Sequence, residues 1–284
     1  MKYASMTYSP LPKWKVLFQS IFFPNKIDRY DLSRSWVEKK DNYFWLSRSA
    51  WSLYLIAKFR IKATGKKNIV VWCPDYFCNS SLAPLRELGV QLKFYQIQED
   101  VNPNIESCLE LMKEAKPDLI IAVHYFGKPA ELSGLQNISS EIGAWLIEDS
   151  AHVAFPVKKI GTYGDFILYS PHKSLPIPDG AILIVRSLGP CKITREMIDN
   201  DGLIDLHRIL IDSNNSNIPR VMLWLIKRII QKLGIYKLPI NTYFDNDDLV
   251  MNTKRYFRPR MSLFSKRMLA NMLDQIMNVF NDFV

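Results

Sequence analysis

The amino-acid sequence predicts an α/β protein built in three layers, with helices on both sides of a mostly parallel sheet. Three observations carry that expectation. Between residues 69 and 185, short β-branched runs alternate with longer helical patterns, the signature of repeated strand–helix–strand units. One run, DLIIAVH from Asp118 to His124, is apolar enough for a strand covered on both faces. Short connectors bearing Gly and Pro separate the last strands of the region.

Taken in order, Ile69 to Cys73 (IVVWC) reads as a strand, followed by a helix from Ser80 to Leu88 that stops at Gly89. A strand from Leu92 to Ile97 leads into a helix from Ile105 to Ala115. The buried strand at Asp118 to His124 follows, and a helix from Leu132 to Ile142 returns the chain to a strand at Trp145 to Glu148. Phe166 to Tyr169 and Ala181 to Val185 complete the series. From about residue 190 the pattern changes: the polar stretches SNNSN (213–217) and DNDD (245–248) flank a basic apolar segment from Arg220 to Lys237. The expected organisation is therefore an N-terminal arm over 1–40, a core domain over 41–190, and a helical or irregular extension over 191–284.

Composition narrows the class. With 48% apolar and 23% charged residues, the chain resembles an average globular protein and not a disordered or fibrous one. The net charge of +9 is scattered, and no nucleic-acid recognition motif accompanies it, so nucleic acid is not an expected partner. Cys73, Cys78, Cys108 and Cys191 have neither metal-site nor dense disulfide spacing, which suits a reducing interior, and no metal is expected. The opening MKYASMTYSPLPKWK lacks the apolar core and cleavage site of a secretory signal, and no run approaches the ~18 apolar residues of a membrane span. A cytoplasmic protein is the expectation. The segment Arg220 to Lys237 has the make-up of a basic amphipathic helix that could lie on a membrane, but an apolar stripe more often faces a core or a dimer partner, and that is the reading taken.

The stretch WLIEDSAHVAFPVKKIGTYGDFILYSPHKSLPIPDGAILIV, from Trp145 to Val185, concentrates the chemistry. Asp149 closes one strand and Lys173 lies just past another, so neighbouring strands can bring a carboxylate and an amine into one crevice. A single such pair would ordinarily be two solvated side chains. Its surroundings argue otherwise: Ile147-Glu148-Asp149-Ser150-Ala151-His152, Gly161-Thr162-Tyr163-Gly164-Asp165, Ser170-Pro171-His172-Lys173 and Asp179-Gly180-Ala181 follow one another in this order. Together they resemble the "IEDxAQ", "GxxGD", "SFxxxK" and Gly-bearing turn of the DegT/StrS-type aminotransferases, the fold type I pyridoxal-phosphate enzymes that aminate keto groups of nucleotide-linked sugars.

The resemblance implies that Lys173 is the Schiff-base lysine and that Asp149 keeps the pyridine nitrogen protonated, the two catalytic roles this cofactor requires. His152, where the family has Gln, is expected at the phenolic oxygen, and Ser170 at the phosphate or beside Lys173. Upstream, FWLSRSAW (44–51) resembles the "SGTAAL" segment that holds the phosphate at a helix N-terminus, with Ser49 as hydroxyl donor and Arg48 in place of the usual Gly. Cys73-Pro74-Asp75-Tyr76-Phe77 resembles the turn that stacks an aromatic ring on the pyridine, for which Tyr76 is preferred over Phe77; core packing is an equal alternative for each. Val123-His124-Tyr125-Phe126-Gly127 resembles "VHxxG". FRPRMSLFSKRMLANML (257–273) resembles a later family segment in which Arg258 would take the place of an Asn reaching the phosphate of the neighbouring subunit.

The family's activity makes transamination of a keto-sugar nucleotide the expected reaction, with glutamate as donor, a homodimer as the working form and a surface polysaccharide, such as lipopolysaccharide, or a related glycoconjugate as destination. The chain stops at Val284 inside a helical pattern, so the family's small C-terminal domain is expected to be missing or reduced. Two other readings stay open. Ser170-Pro171-His172-Lys173 also resembles the "SxHK" of class V enzymes, a lyase or desulfurase for which Cys191 is the downstream thiol. Arg48 and the short C-terminus leave room for a noncatalytic scaffold.

Overall fold

The computed structural model describes residues 10–22, 31–38, 40–212, 218–234 and 258–281. Its strands are β1 (Asn42–Leu46), β2 (Val70–Pro74), β3 (Gln91–Tyr95), β4 (Leu119–Val123), β5 (Trp145–Ser150), β6 (Phe166–Tyr169) and β7 (Ala181–Val185). They form one sheet in the order β1-β7-β6-β5-β4-β2-β3. β2 to β6 run parallel to their neighbours, while β7 is antiparallel to both β6 and β1, so a single reversed strand sits in an otherwise co-directional sheet.

The helices are α1 (Trp14–Phe22), α2 (Ser49–Thr64), α3 (Asn79–Glu87), α4 (Ile105–Glu114), α5 (Ser133–Ile142), α6 (Pro171–Ser174), α7 (Arg195–Asn200), α8 (Leu203–Ile211), α9 (Ile218–Lys232) and α10 (Leu263–Asn281). Strand alternation sorts the core into two sides. Trp145 and Ile147 of β5 pack with Leu53 and Ile56 of α2 and Leu85 of α3, whereas Leu146 packs with Leu135 and Ile138 of α5. On that second side, Ile167, Ile182 and Ile184 meet Val16 and Leu17 of α1 and Met268 and Leu269 of α10. Each fully buried aliphatic side chain contributes roughly 1.5–3 kcal/mol. The result is the expected three-layer α/β/α arrangement.

The strand and helix expectations between residues 69 and 185 match the observed elements to within one or two residues. β1 is new. It occupies part of the segment read for phosphate binding and pairs, Asn42 with Val185 and Leu46 with Ala181, to a strand some 140 residues away, a partner no local pattern announces. The polar stretches 213–217 and 245–248, residues 235–237 of the basic segment, Phe257 and parts of the arm (1–9, 23–30 and 39) lie outside the described residues.

The described part of the basic segment is a helix packed on its own domain along one side, as expected. α9 buries Val221 and packs Trp224 and Leu225 against the core, yet Ile218, Met222, Leu223 and Ile226 are exposed. The apolar arc of this helix is wider than the side that packs, so part of it faces out.

Candidate active site

Parallel strands deliver their carboxyl ends to one edge of a sheet, where the loops that follow carry polar side chains. Here the turns after β2 (Tyr76, Phe77, Cys78), β4 (Tyr125, Phe126) and β6 (Lys173), with the end of β5 and its following turn (Asp149, Ala151, His152), line a cleft of about 250 Å³. Ser49 at the start of α2 and Ser81 of α3 complete its wall with Val123.

Asp149 is buried, and its side chain accepts one hydrogen bond among the described residues, from the Ala151 N–H at 2.9 Å. Burial raises its pKa above the ordinary aspartate range, against the pull of the Lys173 ammonium and the Ala151 bond. Lys173 is exposed to the cleft and makes no side-chain hydrogen bond or ion pair among the described residues. The two groups thus share a cleft without neutralising each other at contact.

Glu148, the preceding residue, points to the opposite side of the sheet and is fully satisfied. Its Oε1 accepts from the N–H groups of Tyr163 at 2.6 Å and Gly164 at 2.5 Å; its Oε2 accepts from Gly161 N–H and His124 Nε2, both at 2.8 Å. His124 Nδ1 itself accepts from the Ala130 N–H at 3.1 Å, so the ring hydrogen sits on Nε2 and the contact is a hydrogen bond from neutral imidazole. Burial works against the Glu148 charge, but the His124 and backbone donors outweigh it and hold the pKa below the ordinary glutamate range. This gives the GxxGD loop its physical reason. Gly161 has φ +79°, and a Cβ on Gly164 would fall 2.9 Å from the carbonyl oxygens of Leu146 and Phe166. Asp165 then ties the loop back, accepting from Leu146 N–H at 2.9 Å and Cys191 N–H at 2.7 Å.

His152 accepts from Phe126 N–H at its Nδ1, 3.2 Å away, and its ring stacks on Phe126 with centroids 5.9 Å apart. The neutral ring therefore carries its hydrogen on Nε2, a donor without an acceptor among the described residues. Burial and the nearby Lys173 lower its pKa. Lys173 rides on α6, which is anchored by His172: Nδ1 donates to Gly180 O at 2.8 Å, and the His172 N–H reaches the same oxygen at 3.3 Å. Burial, with Arg48 nearby, holds the His172 pKa well below the ordinary histidine value, so it too is neutral.

Of the nine residues singled out from the sequence, Lys173, Asp149, His152, Ser49, Tyr76 and Phe77 line the cleft together. Tyr76 is exposed and faces the Tyr125 ring at 5.6 Å, while Phe77 also packs on the core beneath α2 and α3. Ser170 is wholly buried beside α6. Arg48 and Arg258 are absent from the lining. Arg48, preceding α2, donates from Nη2 to Pro178 O at 3.3 Å; burial, with Arg220 close by, pushes its pKa down to about 9 despite Asp179. Arg258 lies where residues 258–260 run beside the end of β1, its carbonyl accepting from the Ser47 hydroxyl at 2.5 Å. Cys191 sits at the other end of β5, where its thiol donates to Ala144 O at 2.9 Å and burial raises its pKa to about 11. It is remote from the cleft and unsuited to act there as a nucleophile.

Sequence reading missed Tyr125, Phe126, Cys78 and Ser81 as wall residues, although Tyr125 and Phe126 stood inside the VHYFG segment. It also passed over the bond between His124 and Glu148, whose partners are each part of a recognised segment.

Comparison with known proteins gives the same picture. Residues 49–192 match the DegT/DnrJ/EryC1/StrS aminotransferase family. Over 167 residues the chain is 25% identical to the GDP-perosamine synthase of Vibrio cholerae, a match spanning 57% of this chain and 44% of that protein, so it accounts for less than half the relative's length. The putative sugar aminotransferase of Streptococcus pneumoniae in its PLP form superposes with a TM-score of 0.60 at 15% identity, covering 96% of this chain and 67% of that one. An aminotransferase from Streptoalloteichus hindustanus gives 0.57 at 15% identity, over 95% and 65%. These two likenesses establish the fold, and the family match spans half of the chain. The sheet with its one reversed strand, the carboxyl-edge cleft and the matched region together make this chain a member of the DegT/DnrJ/EryC1/StrS aminotransferase family.

Proposed function

We propose that the cleft binds pyridoxal 5′-phosphate and that the chain acts as an aminotransferase on a nucleotide-linked keto sugar, with glutamate as amino donor. The observation that carries this reading is the meeting of Asp149 and Lys173, from neighbouring strands, in one cleft without a contact between them.

The residues suit the cofactor. A phosphate needs donors, and no side chain caps the N-terminus of α2, where the Ser49 hydroxyl lines the cleft. The buried Ser170 Oγ has no hydrogen-bond partner among the described residues, as expected of a group kept for a ligand. Tyr76 and Phe77 offer aromatic faces to a flat ring, and His152 Nε2–H offers a donor to its phenolic oxygen. We assign Arg48 to the phosphate end of the same site and Arg258 to the neighbouring subunit's phosphate in a homodimer. The cofactor-binding unit is residues 41–190, with 1–40 as an arm and 191–284 as an extension.

When bound, the cofactor supplies an aldehyde to carry the amino group and an electron sink for a carbon that has lost its proton. Lys173 holds it through Nζ and, once a substrate amine has taken that place, moves a proton from and to the reacting carbon as general base and acid. Asp149 keeps the ring nitrogen protonated. Its raised pKa marks a carboxylate short of partners, and a cationic nitrogen beside it relieves that shortage. Neutral His172 fixes α6 through Gly180 O without adding positive charge beside the Lys173 amine.

The product would feed a surface polysaccharide or related glycoconjugate in the cytoplasm, a setting in keeping with four unpaired thiols. The test is incubation of PLP-loaded protein with glutamate and a nucleotide-linked keto sugar, read by mass spectrometry. Amino sugar and 2-oxoglutarate should both form, and neither with Lys173→Ala. Bound cofactor with no 2-oxoglutarate would contradict an aminotransferase using this donor.

A further inference from the structure

α1 and α9 each turn an apolar stripe toward solvent. On α1, Trp14, Phe18 and Phe22 follow one another at helical spacing and are 45%, 61% and 59% exposed. Val16 and Leu17 on the same helix are buried, so packing has chosen the inner face and left the aromatic one outside. On α9, Met222, Leu223 and Ile226 are 50%, 56% and 49% exposed. The two helices meet at one end: the Lys232 ammonium, at the end of α9, lies 5.2 Å from the centroid of the Trp14 ring, at the start of α1. Single exposed apolar side chains are ordinary, but a helical stripe on each of two helices that meet at one end is a surface that water alone covers poorly.

The charges around this surface select its partner. Lys15 is exposed on α1 with Lys13 just ahead of it, and Lys227 is exposed on α9, while neither helix carries a single Asp or Glu. By helical spacing, Lys227 flanks the α9 stripe on one side and Lys232 on the other, the disposition from which long basic side chains reach up around a buried apolar face. A two-fold contact between copies through this surface would bring basic rims together, with no carboxylate on the two helices to pair with them. An anionic lipid surface answers both features, taking the apolar stripe among its acyl chains and the ammonium groups at its headgroups. No helix among the described residues is long and apolar enough to cross a membrane, so the contact is peripheral. We propose that the α1–α9 face docks this protein on the surface of an anionic membrane.

The experiment is flotation of the full chain with vesicles of phosphatidylcholine alone or mixed with phosphatidylglycerol, on the starting protein and on a Phe18→Glu/Leu223→Glu double variant. Circular dichroism of the variant checks that it is folded, and Lys227→Glu serves as a second, milder variant. The chain should float with the mixed vesicles, more weakly in high salt, and stay below with phosphatidylcholine alone; the double variant should lose flotation and Lys227→Glu should weaken it. Failure of the starting protein to float with mixed vesicles overturns the proposal. So does a dimer in analytical ultracentrifugation that the Phe18→Glu/Leu223→Glu change dissociates, which would assign the face to a second copy.

Discussion

Glu148 and Asp149 are adjacent in sequence, buried in the same strand and opposite in circumstance. Glu148 has four donors, and its charge is held below the ordinary glutamate range; Asp149 has one backbone donor, and burial pushes it above the ordinary aspartate range. Strand alternation alone separates them, since it sends one side chain into the GxxGD loop and the other into the cleft. The difference teaches how a fold divides labour between two identical functional groups. A carboxylate whose donors are all supplied by the protein is scaffold, and one left short of partners is poised for a ligand that supplies them.

The largest expected effect lies on the cleft side. Lys173→Ala should remove turnover, measured as 2-oxoglutarate release from glutamate, while the thermal midpoint without cofactor stays within ~1 °C, because the exposed amine has no partner among the described residues to lose. Asp149→Asn should cost ~10²–10³-fold in turnover. The same change should raise the stability of the cofactor-free protein near neutral pH, read as a higher denaturant midpoint. The sign follows from the raised pKa: the wild-type protein loses stability as pH rises from the ordinary aspartate value through the raised one, and an amide has no such loss. A variant at once less active and more stable would sharpen the contrast; an equally destabilised one would break it.

On the scaffold side the pattern should invert. Glu148→Gln replaces an oxygen acceptor with an NH2 that faces backbone donors, at an expected cost of about 2–4 kcal/mol in denaturant unfolding. Turnover per folded molecule should fall much less than in Asp149→Asn. Glu148 also sets an acid limb: its contribution is complete above the ordinary glutamate range, about 4.3, and disappears as pH falls through the depressed value. Unfolding of wild type and Glu148→Gln should therefore converge toward acid pH, as followed by tryptophan fluorescence. The smallest effect belongs to His152→Gln, which keeps an N–H donor and should change turnover by only ~2–5-fold.

How much of this was legible in the sequence depended on the range of the interaction. β4 was readable because a strand covered on both faces must be apolar along its whole length, and Asp149 and Lys173 because the segments around them resemble those of a known family. β1 was not, because NYFWL is a short strand whose identity depends on β7 far along the chain. The His124–Glu148 bond was hidden for the same reason: each residue stood in a recognised segment, but only the parallel register of β4 and β5 brings them together. α9 packs Val221, Trp224 and Leu225 on the core as its apolar stripe led one to expect, but periodicity could not tell that Met222, Leu223 and Ile226 would stay outside.

The central claim is that Lys173 and Asp149 face one cofactor in this cleft, and borohydride reduction of the PLP-treated protein with peptide mapping tests it most directly. The expected result is a visible absorption band that disappears on reduction, with the adduct on the peptide carrying Lys173 and a weaker, displaced band in Asp149→Asn. Folded protein that shows no band, or an adduct only on lysines outside the cleft, would contradict the claim.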